Sequence, residues 1–371
     1  MTTRKAQGRF RIHASFTLMT LIVLLLGLSV SQASAANFPD EDGPLRNRLT
    51  LTGKYGMIAG GAGLEDTGIN TLALNVPGSS IAAAYLYWAG TTNDDAGDNT
   101  VNFQVDGGTA QSLTADDVYG PSLWYYSFGT GDTYYHHVYV RDVTALAQLG
   151  AHTYTLSGYT VSGGSGLAYG FGMVVVYEDQ TLNDSTITLL DGLDSVYWQF
   201  DPPRDSPSSV NCVNFEANPT LPRVMEFYVF AGGSADSNEE DRPNSLHYVV
   251  GSGAPPTDVL NAPGQVTVTD PFVSTSGNAW DTYTETIVIP AGATYACFQT
   301  SSDGGPFGNP DGASFLWLMG GFNLKEETPT AVSLATFSAD NRLVLPVASV
   351  ALALTLLGSL TGVLVVRRRR A

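Results

Sequence analysis

The sequence predicts an all-β protein with two tandem β-sandwich units of the jelly-roll type, preceded by a signal peptide and followed by a transmembrane helix. Two observations carry this prediction. Short apolar and aromatic segments alternate with Gly, Asp and Pro turns in a chain with 40 Gly, 18 Tyr and 16 Phe, a composition typical of strands. Similar segments also recur at a nearly constant spacing in the two halves, which is typical of duplicated units.

Residues 1–36 form a predicted signal peptide. Four basic residues precede an apolar stretch over 16–30, and the small residues Ala33, Ser34 and Ala35 follow it. A basic region, an apolar region and a small-residue cleavage site in this order are typical of secretory signals. We therefore expect signal peptidase to remove this segment and the rest of the chain to be exported.

The first β-sandwich unit is predicted over residues 37–200, as a run of about eight strands separated by turns. Its strongest local signal is the alternation of Val101 and Phe103 with polar residues before the dipeptide Asp106-Gly107. An Asp-Gly pair after such a segment is typical of a two-residue hairpin turn. We therefore expect a β-hairpin with its turn at this dipeptide.

Two segments of the first unit do not fit the strand pattern. The stretch 142–150 is helix-like, because Val143, Leu146 and Leu149 are spaced for one helical face and a glycine follows as a stop. The stretch 57–66 has the glycines of a nucleotide loop but lacks the Lys-Ser/Thr that holds phosphates. We interpret it as a mobile connection between strands.

The second β-sandwich unit is predicted over residues 201–327, where segments of the first unit recur in the same order. "VNFQVDGG" from Val101 is echoed by "LHYVVGSG" from Leu246, and "AYGFGMVVVY" from Ala168 by "ASFLWLMGGF" from Ala313. Both pairs are 145 residues apart. A shared offset favours duplication of one unit, and chance similarity between apolar strands stays open as the alternative.

Cys212 and Cys297 are the two cysteines of the chain, and both lie in the exported part. An even number of cysteines in an oxidising compartment is typical of disulfides. We predict that the two form a disulfide, with two free buried thiols as the alternative.

The exported part is strongly acidic. Of the 17 Lys and Arg residues, four lie in the signal peptide and four at the C-terminus, which leaves nine against 35 Asp and Glu, a formal net charge of −26. Nucleic acids are excluded as partners, since phosphate binding needs basic patches. Acidity of this size suits solubility, cation binding or saline surroundings.

Two acidic loops, at 93–99 and 236–241, occupy matching places in the two predicted units. Clustered carboxylates are ligands that Ca²⁺ prefers, although the spacing differs from that of the EF-hand loop. The residues of this predicted calcium site are Asp94, Asp95, Asp98, Asp236, Glu239 and Asp241. Ordinary solvated turns are the alternative, and no other cofactor is predicted.

Aromatic residues at 124–128 place rings on both faces of one predicted strand. Flat rings on an exposed face can stack on sugars, so Trp124, Tyr125 and Tyr126 are candidate glycan contacts. Burial of the same rings between two sheets is the alternative.

The sequence offers no catalytic motif. It has no G-x-S-x-G elbow and no H-E-x-x-H, and the neighbours His136 and His137 point to opposite faces of a strand, where they cannot share one metal. Glycosidases use two carboxylates. The sequence selects no pair among its candidates, which are Asp191, Asp194, Glu216, Glu226 and Glu285. We therefore predict no catalytic residue.

The C-terminal segment predicts a membrane anchor. Residues 343–366 carry no charged side chain, and a helix of that length spans the ~30 Å hydrocarbon core of a bilayer. Four arginines begin the tail 367–371, and positive charge stays on the cytoplasmic side. The spacer 328–342 is rich in Thr, Ser and Ala and is flexible by composition. The folded part of the chain is therefore expected outside the membrane.

This arrangement resembles that of bacterial sorted surface proteins. Leu345 and Pro346 open "LPVAS", which resembles the LPXTG signal read by sortases, and the tail is similar to PEP-CTERM and IPTL-CTERM signals read by exosortase-type enzymes. Ala348 and Ser349 stand where LPXTG has Thr and Gly, and Pro-Glu-Pro is absent. The resemblance implies a sorting signal as well as an anchor, and it leaves covalent transfer open. The basic end of that signal is Arg367, Arg368, Arg369 and Arg370.

The exported part also resembles an uncharacterised domain of secreted bacterial and archaeal surface proteins. The likeness lies in patches such as "SIAAAYLYWAGT" from Ser80 and "ITLLDGL" from Ile187, and it covers most of residues 48–325. It implies a β-sandwich fold and a place at the cell surface, and it supplies no active site.

These features predict a non-catalytic protein of the cell envelope or extracellular surface, with an adhesive or structural role and a single membrane pass whose C-terminus is cytoplasmic. The alternative is an envelope-tethered carbohydrate-binding module or carbohydrate-active enzyme. The expected partners are the membrane, signal peptidase, a sortase or exosortase-type enzyme, and an extracellular glycan or matrix.

Overall fold

The computed structural model describes residues 42–326, apart from 66, 127–128, 164–165, 234–241 and 303–311. Every regular element in these ranges is a β-strand, so the all-β prediction is confirmed. None of the described ranges holds a helix that is long and apolar enough to cross a membrane. The predicted signal peptide, spacer, membrane helix and basic tail lie outside the described residues.

The described ranges contain eighteen strands. In chain order they are β1 (Arg46–Gly53), β2 (Tyr55–Gly63), β3 (Ile69–Val76), β4 (Ser80–Thr92), β5 (Thr100–Val105), β6 (Gln111–Thr114), β7 (Asp117–Tyr126), β8 (Thr133–Asp142), β9 (Gly150–Ser157), β10 (Leu167–Glu178), β11 (Ser185–Val196), β12 (Asn211–Asn214), β13 (Arg223–Gly232), β14 (Asn244–Gly251), β15 (Val266–Thr269), β16 (Trp280–Ile289), β17 (Tyr295–Ser302) and β18 (Phe315–Lys325).

These strands pair into four antiparallel sheets, which we name by their place in the stack. Outer sheet 1 has the order β3-β9-β5-β6, and inner sheet 1 has the order β2-β10-β4-β8-β7. Inner sheet 2 has the order β1-β11-β18-β13-β16, and outer sheet 2 has the order β12-β17-β14-β15.

Three hydrophobic cores lie between the four sheets. The first joins outer sheet 1 to inner sheet 1 and includes Trp88 and Phe103. The third joins inner sheet 2 to outer sheet 2 and includes Phe227 and Phe298. Between them, the middle core joins the two inner sheets and includes Trp280. The inner sheets are therefore buried on both faces.

Burial on both faces explains the sequence of the inner strands. In β13, Phe227 and Val229 belong to the third core, while Phe230, on the opposite face, belongs to the middle core. In β4, Trp88 and Tyr87 are likewise divided between the first core and the middle core. A strand that is buried on both faces needs a nearly continuous apolar run, which "YLYWAG" and "FYVFAG" supply.

The glycine-rich stretch 57–66, interpreted from the sequence as a mobile connection, instead forms most of β2. Its glycines let the inner sheets approach closely. A Cβ atom at Gly61 would overlap Nε1 of Trp280, and a Cβ at Gly172 of the neighbouring β10 would lie 2.7 Å from the ring of Phe230. The glycines therefore accommodate two large side chains of inner sheet 2.

The predicted hairpin is confirmed and the predicted helix is wrong. β5 pairs with β6, and in the connection between them Asp106 and Gly107 have φ values of 49° and 66°, as the two central residues of a type I′ turn do. The stretch 142–150 forms a single turn, closed where the amides of Leu146 and Ala147 donate to the carbonyl of Val143. Burial of Val143 in the first core and the start of β9 at Gly150 leave no length for a helix.

The strands of the two halves follow the same order in their sheets. The order β2-β10-β4-β8 of inner sheet 1 corresponds, strand by strand in sequence, to β11-β18-β13-β16 of inner sheet 2. The order β3-β9-β5-β6 of outer sheet 1 corresponds in the same way to β12-β17-β14-β15 of outer sheet 2. Strands β1 and β7 are additional edge strands. The segments that recur 145 residues apart lie in β5 and β14 and in β10 and β18.

Two strands of the predicted first unit, residues 37–200, belong to a sheet that is otherwise formed by the predicted second unit. β1 and β11 lie beside β18 in inner sheet 2, whereas β2 to β10 make up inner sheet 1 and outer sheet 1. In strand order, β11 is the counterpart of β2 and thus the first strand of the second set.

Candidate functional site

The first acidic loop uses its carboxylates to hold its own backbone. Asp94 Oδ1 accepts a hydrogen bond from the amide of Ala96 at 3.0 Å. The two carboxylate oxygens of Asp98 accept from the amides of Thr100 at 3.1 Å and Thr160 at 2.9 Å. These contacts are typical of acidic residues that shape turns.

The other predicted calcium ligands lie outside the described residues, since Asp236, Glu239 and Asp241 fall in the range 234–241. Within the described residues, no group of three or more His, Cys, Asp and Glu side chains is arranged to hold a metal ion. Asp94, Asp95 and Asp98 thus form no such group, and calcium binding stays a prediction.

The candidate glycan contacts lie on β7, at the edge of inner sheet 1. Trp124 is half-buried, and its ring stacks on the imidazole of His136 with 5.6 Å between centroids. Tyr125 and Tyr126 belong to the same strand, and their side chains lie outside the described residues. The structure therefore pairs Trp124 with a buried histidine of the neighbouring strand β8.

Cys212 and Cys297 form a disulfide. The two residues lie directly opposite each other in the β12–β17 pair of outer sheet 2. The bond closes a loop with a sequence separation of 85 residues, for which the chain-entropy model gives about 4.6 kcal/mol of stabilisation.

A chain of buried polar side chains runs between the inner sheets near β7 and β8. Ser122 Oγ donates to Asp42 Oδ2 at 2.7 Å, and the amide of Ser195 donates to Asp42 Oδ1 at 2.8 Å. Ser195 Oγ lies 3.1 Å from His136 Nδ1, and His136 Nε2 lies 3.1 Å from the hydroxyl of Tyr169. We name these five residues the Asp42–Tyr169 chain.

Burial dominates the acid–base properties of the Asp42–Tyr169 chain. It raises the pKa of Asp42 to about 6, against hydrogen bonds from Ser122 and Ser195 that lower it. Burial also lowers the pKa of His136 well below its ordinary value, so the imidazole is neutral. A neutral imidazole donates from one nitrogen and accepts at the other, which matches its two hydroxyl neighbours.

Asp194 lies close to the Asp42–Tyr169 chain. Burial, with the nearby carboxylate of Asp42, raises the pKa of Asp194 well above its ordinary value. Its Oδ2 accepts from the amide of Ser209 at 3.0 Å, and its Oδ1 is buried without a hydrogen-bond partner among the residues that the structure describes. Perturbed carboxylates of this kind are frequent at functional sites, and structural networks also produce them.

A second polar cluster joins the inner sheets at β1 and β11. Arg48 donates from Nε to Asp191 Oδ2 at 2.7 Å, from one terminal nitrogen to Asp117 at 2.6 Å, and from the other to the hydroxyl of Tyr119 at 2.8 Å. Tyr87 and Tyr119 also donate to Asp191, at 3.0 and 2.7 Å. Asp191 is 1% exposed, so its charge is compensated by three donors.

A solvent-accessible pocket of about 260 Å³ opens between the inner sheets, at the end where β2 begins and β18 ends. We name it the inter-sheet pocket. It is lined by Tyr55, Gly56, Met57, Ile58, Tyr177, Leu182, Asn183, Ser185, Glu226, Tyr228, Asn323 and Lys325. Glu226, one of the five carboxylates singled out from the sequence, is the one of that set that lines it.

The walls of the inter-sheet pocket are fixed by hydrogen bonds between the two sheets. The hydroxyl of Tyr228 donates to the carbonyl of Met57 at 2.9 Å, and Ser185 Oγ donates to the carbonyl of Tyr55 at 2.7 Å. A Cβ atom at Gly56 would overlap the ring of Tyr177, so that glycine lets the ring lie against β2.

The polar lining of the pocket comes from adjacent strands of inner sheet 2. Glu226 lies opposite Asn323 in the β13–β18 pair. Its carboxylate accepts from Lys325 Nζ and, at 3.2 Å, from Asn323 Nδ2. Burial, together with the charge of Glu226, raises the pKa values of Tyr177 and Tyr228, so both phenols stay protonated.

Sequence reasoning missed most of these residues. Arg48, Tyr177 and Asn323 belong to no catalytic or binding motif, and Arg48 and Asn323 hydrogen-bond to residues more than 90 positions away. The signal that was present is the glycine pattern of 56–63, which marks a close approach of backbone.

Neither a family model nor a curated protein matches this chain. Among solved structures, a peptide-N(4)-(N-acetyl-β-D-glucosaminyl)asparagine amidase is 10% identical, covers 74% of this chain and 98% of its own, and has a TM-score of 0.23. PNGase F, a glycosylasparaginase from Flavobacterium meningosepticum, is 10% identical, with coverages of 76% and 97% and a TM-score of 0.22. A structure of Sulfolobus Turreted Icosahedral Virus is 10% identical, with coverages of 82% and 95% and a TM-score of 0.19. At these TM-scores the likeness supports no statement about function.

Proposed function

We propose that this protein is a non-catalytic component of the cell surface, with an adhesive or structural role. The observation that carries the proposal is that the buried polar groups between the inner sheets hydrogen-bond to one another. His136 is engaged with Ser195 and Tyr169, and Asp191 is engaged with Arg48. Groups that are committed to each other in this way hold sheets together and leave little capacity for a reacting substrate.

We further infer that the chain forms two tandem eight-stranded jelly rolls. One consists of β2 to β10 without β7, and the other of β11 to β18. The inference is supported by the matching strand order of the four sheets. Two jelly rolls that share a middle core make a stiff module, and stiffness suits a protein that presents a surface or bears load.

Export and anchoring are the second part of the proposal. They are supported by the secretory pattern of residues 1–36, the uncharged stretch 343–366 and the four arginines after it. The Cys212–Cys297 disulfide fits an oxidising compartment. The module is then held at the envelope surface with its C-terminus in the cytoplasm, and a net charge of −26 keeps the exported part soluble.

Processing of the tail is part of the same proposal. Signal peptidase removes the N-terminal segment, and a sortase or exosortase-type enzyme reads the segment that begins at Leu345 and Pro346. The mass of the mature protein measures both steps. We expect loss of residues 1–36. Loss of the segment after "LPVAS" would indicate covalent transfer, and its retention would indicate a membrane anchor alone.

Protease accessibility tests the topology. An epitope is inserted after Thr330, in the spacer, and a matched epitope is added after Ala371 as a control. Protease added to intact cells, or to spheroplasts where an outer membrane shields the surface, should remove the first epitope and spare the second. Protection of the Thr330 epitope in spheroplasts would contradict the proposed orientation.

A further inference from the structure

One wall of the inter-sheet pocket contains an acceptor that none of the described residues satisfies. Asn323 lines the pocket and is 2% exposed. Its Nδ2 donates to Glu226, whereas its Oδ1 is buried and has no hydrogen-bond partner in the described part of the chain. The orientation of the amide is fixed, because a carboxylate accepts only and a flipped amide would face it with oxygen. An unpaired buried acceptor costs free energy, and a ligand with an O–H or N–H group would remove that cost.

The charges of the pocket cancel locally. Glu226 and Lys325 form an ion pair, and the other lining residues are uncharged. An anionic ligand would have to compete with Glu226 for Lys325, and a cationic ligand would compete with Lys325 for Glu226. The exported part has a formal net charge of −26, which further opposes anions. These features favour a neutral ligand.

Apart from Asn183 and Ser185, the rest of the lining is aromatic and apolar. Tyr55, Tyr177 and Tyr228 supply rings, and Ile58 and Leu182 supply aliphatic surface. The phenols of Tyr177 and Tyr228 stay protonated. Rings that combine an apolar face with a hydroxyl suit ligands that also combine C–H faces with hydroxyl groups.

The size of the pocket sets the size of the ligand. Its volume of about 260 Å³ corresponds to roughly nine waters at ~30 Å³ each, which accommodates one six-membered sugar ring with its hydroxyls. A second ring would extend into solvent. The walls are fixed by the bonds of Tyr228 to Met57 and of Ser185 to Tyr55, so the tyrosine rings are in place before a ligand binds, and only Asn323 Oδ1, which is closed to solvent, has to be uncovered.

We propose that the inter-sheet pocket binds a single neutral sugar ring, whose hydroxyl group donates to Asn323 Oδ1 and whose C–H face lies against the tyrosine rings. Free monosaccharide binds weakly, with a Kd on the order of millimolar, as expected for about twelve heavy atoms. The pocket is lined by β2 and Trp124 belongs to β7, at the opposite edge of inner sheet 1, and the proposal does not depend on the surface location of the protein.

Titration calorimetry and ligand-observed NMR on the purified full chain test this proposal. The chain is kept in a detergent without a sugar headgroup, such as lauryldimethylamine oxide, so that the detergent does not occupy the pocket. The probes are glucose, galactose, mannose and N-acetylglucosamine, with sulfate as an anionic control. We expect saturable binding of at least one sugar and no binding of sulfate.

Matched variants locate the binding site. Asn323→Leu removes the acceptor at nearly constant volume and should weaken sugar binding about tenfold, the value of one good hydrogen bond. Asn102→Leu makes the same change on the exposed face of β5 in outer sheet 1 and should leave affinity unchanged. Tyr177→Leu removes a half-buried ring and should also weaken binding, and it provides an independent test where Asn323→Leu fails to fold.

Each outcome decides the proposal. Loss of affinity in Asn323→Leu or Tyr177→Leu, with the wild-type affinity kept in Asn102→Leu, supports it. Absence of binding for all four sugars overturns it. Binding that both pocket variants retain, or binding of sulfate in place of sugar, also overturns it.

Discussion

Burial sets the protonation of individual residues in the Asp42–Tyr169 chain. Asp42 has a pKa of about 6 against an ordinary value of 3.8, because desolvation outweighs the hydrogen bonds from the two serines. The neighbouring Asp194 is shifted in the same direction, and Arg204 lies close enough to lower the pKa of Asp42. His136 is neutral. Proton binding by these carboxylates is therefore coupled to folding.

Asp42→Asn should change how stability depends on pH. Because the folded pKa of Asp42 is raised, the native state binds its proton more tightly than the unfolded state does. That stabilisation is complete below pH 3.8 and is lost as the pH rises through about 6. The wild type should therefore lose about 3 kcal/mol of unfolding free energy relative to Asp42→Asn across this window. Urea titrations at several pH values measure the difference.

Asp179→Asn provides a control of opposite sign. The pKa of Asp179 is lowered by hydrogen bonds from Thr181, so its contribution to stability is present above pH 3.8 and is lost as the pH falls through the lowered pKa. The wild type should therefore gain stability relative to Asp179→Asn as the pH rises. Parallel pH curves for the wild type and Asp42→Asn would contradict the assignment of Asp42.

At the scale of elements, a polar cluster links strands that belong to different sheets. Arg48 of β1 reaches Asp117 and Tyr119 of β7 as well as Asp191 of β11, and thus joins edge strands of both inner sheets. β1 and β7 are the two strands that lie outside the matching strand order. The Arg48 cluster therefore couples the two additional strands to each other.

Arg48→Met should be strongly destabilising. It removes the cation and leaves Asp191, which is 1% exposed, with two phenol donors only. Breaking a buried pair from one side costs about 3 kcal/mol or more. Chemical denaturation of the variant measures this cost.

Arg141→Met is the matched control, because Arg141 pairs with Asp116 in an exposed ion pair. Exposed pairs contribute less than about 1 kcal/mol. Equal losses in the two variants would show that the Arg48 cluster is no stronger than a surface pair.

Much of the fold can be predicted from the sequence, because its elements depend on local pattern. The hairpin at Asp106-Gly107 follows from a dipeptide that tolerates positive φ at both positions. The recurring segments coincide with β5 and β14 and with β10 and β18. The helix-like stretch 142–150 failed because its apolar spacing reflects one turn and a following strand, and not a continuous helical face.

The candidate site is less predictable, because its residues meet only through the stacking of sheets. Tyr177 and Glu226 belong to different inner sheets, and nothing in their local sequence indicates that they meet. The acidic composition of the loop 93–99 predicts a calcium site, and in the structure Asp94 and Asp98 of this loop hydrogen-bond to nearby amides. Clusters that depend on distant contacts thus escape sequence patterns.

At the scale of the whole molecule, the middle core makes the two sets of strands one unit. Its side chains come from inner sheet 1 and from inner sheet 2, and Leu189 and Leu316 among them are fully buried. The large apolar interface between the inner sheets resembles a domain core. We therefore expect the four layers to unfold together.

Leu189→Ala should lower the stability of both sets of strands at once. Leu189 is 0% exposed, and removing its side chain leaves a cavity that costs about 3 kcal/mol. Because the core is shared, tryptophan fluorescence and far-UV circular dichroism should report one coincident transition, moved to lower denaturant.

Leu149→Ala makes the same substitution at a position that is 38% exposed and should change stability by less than about 0.5 kcal/mol. Two separate transitions, of which Leu189→Ala moves only one, would show that the halves unfold independently.

The place of β18 in inner sheet 2 bears on how the molecule responds to mechanical force. β18 is the last described strand before the predicted anchor, and it is hydrogen-bonded along its length to β11 on one side and to β13 on the other. A pull on the chain after Lys325 acts along the strand axis, so the bonds on both sides are loaded in shear and share the force. A strand at the sheet edge that was peeled sideways would lose its bonds one after another. If the chain is anchored as proposed, the strand that precedes the anchor is therefore well placed to withstand traction along the chain.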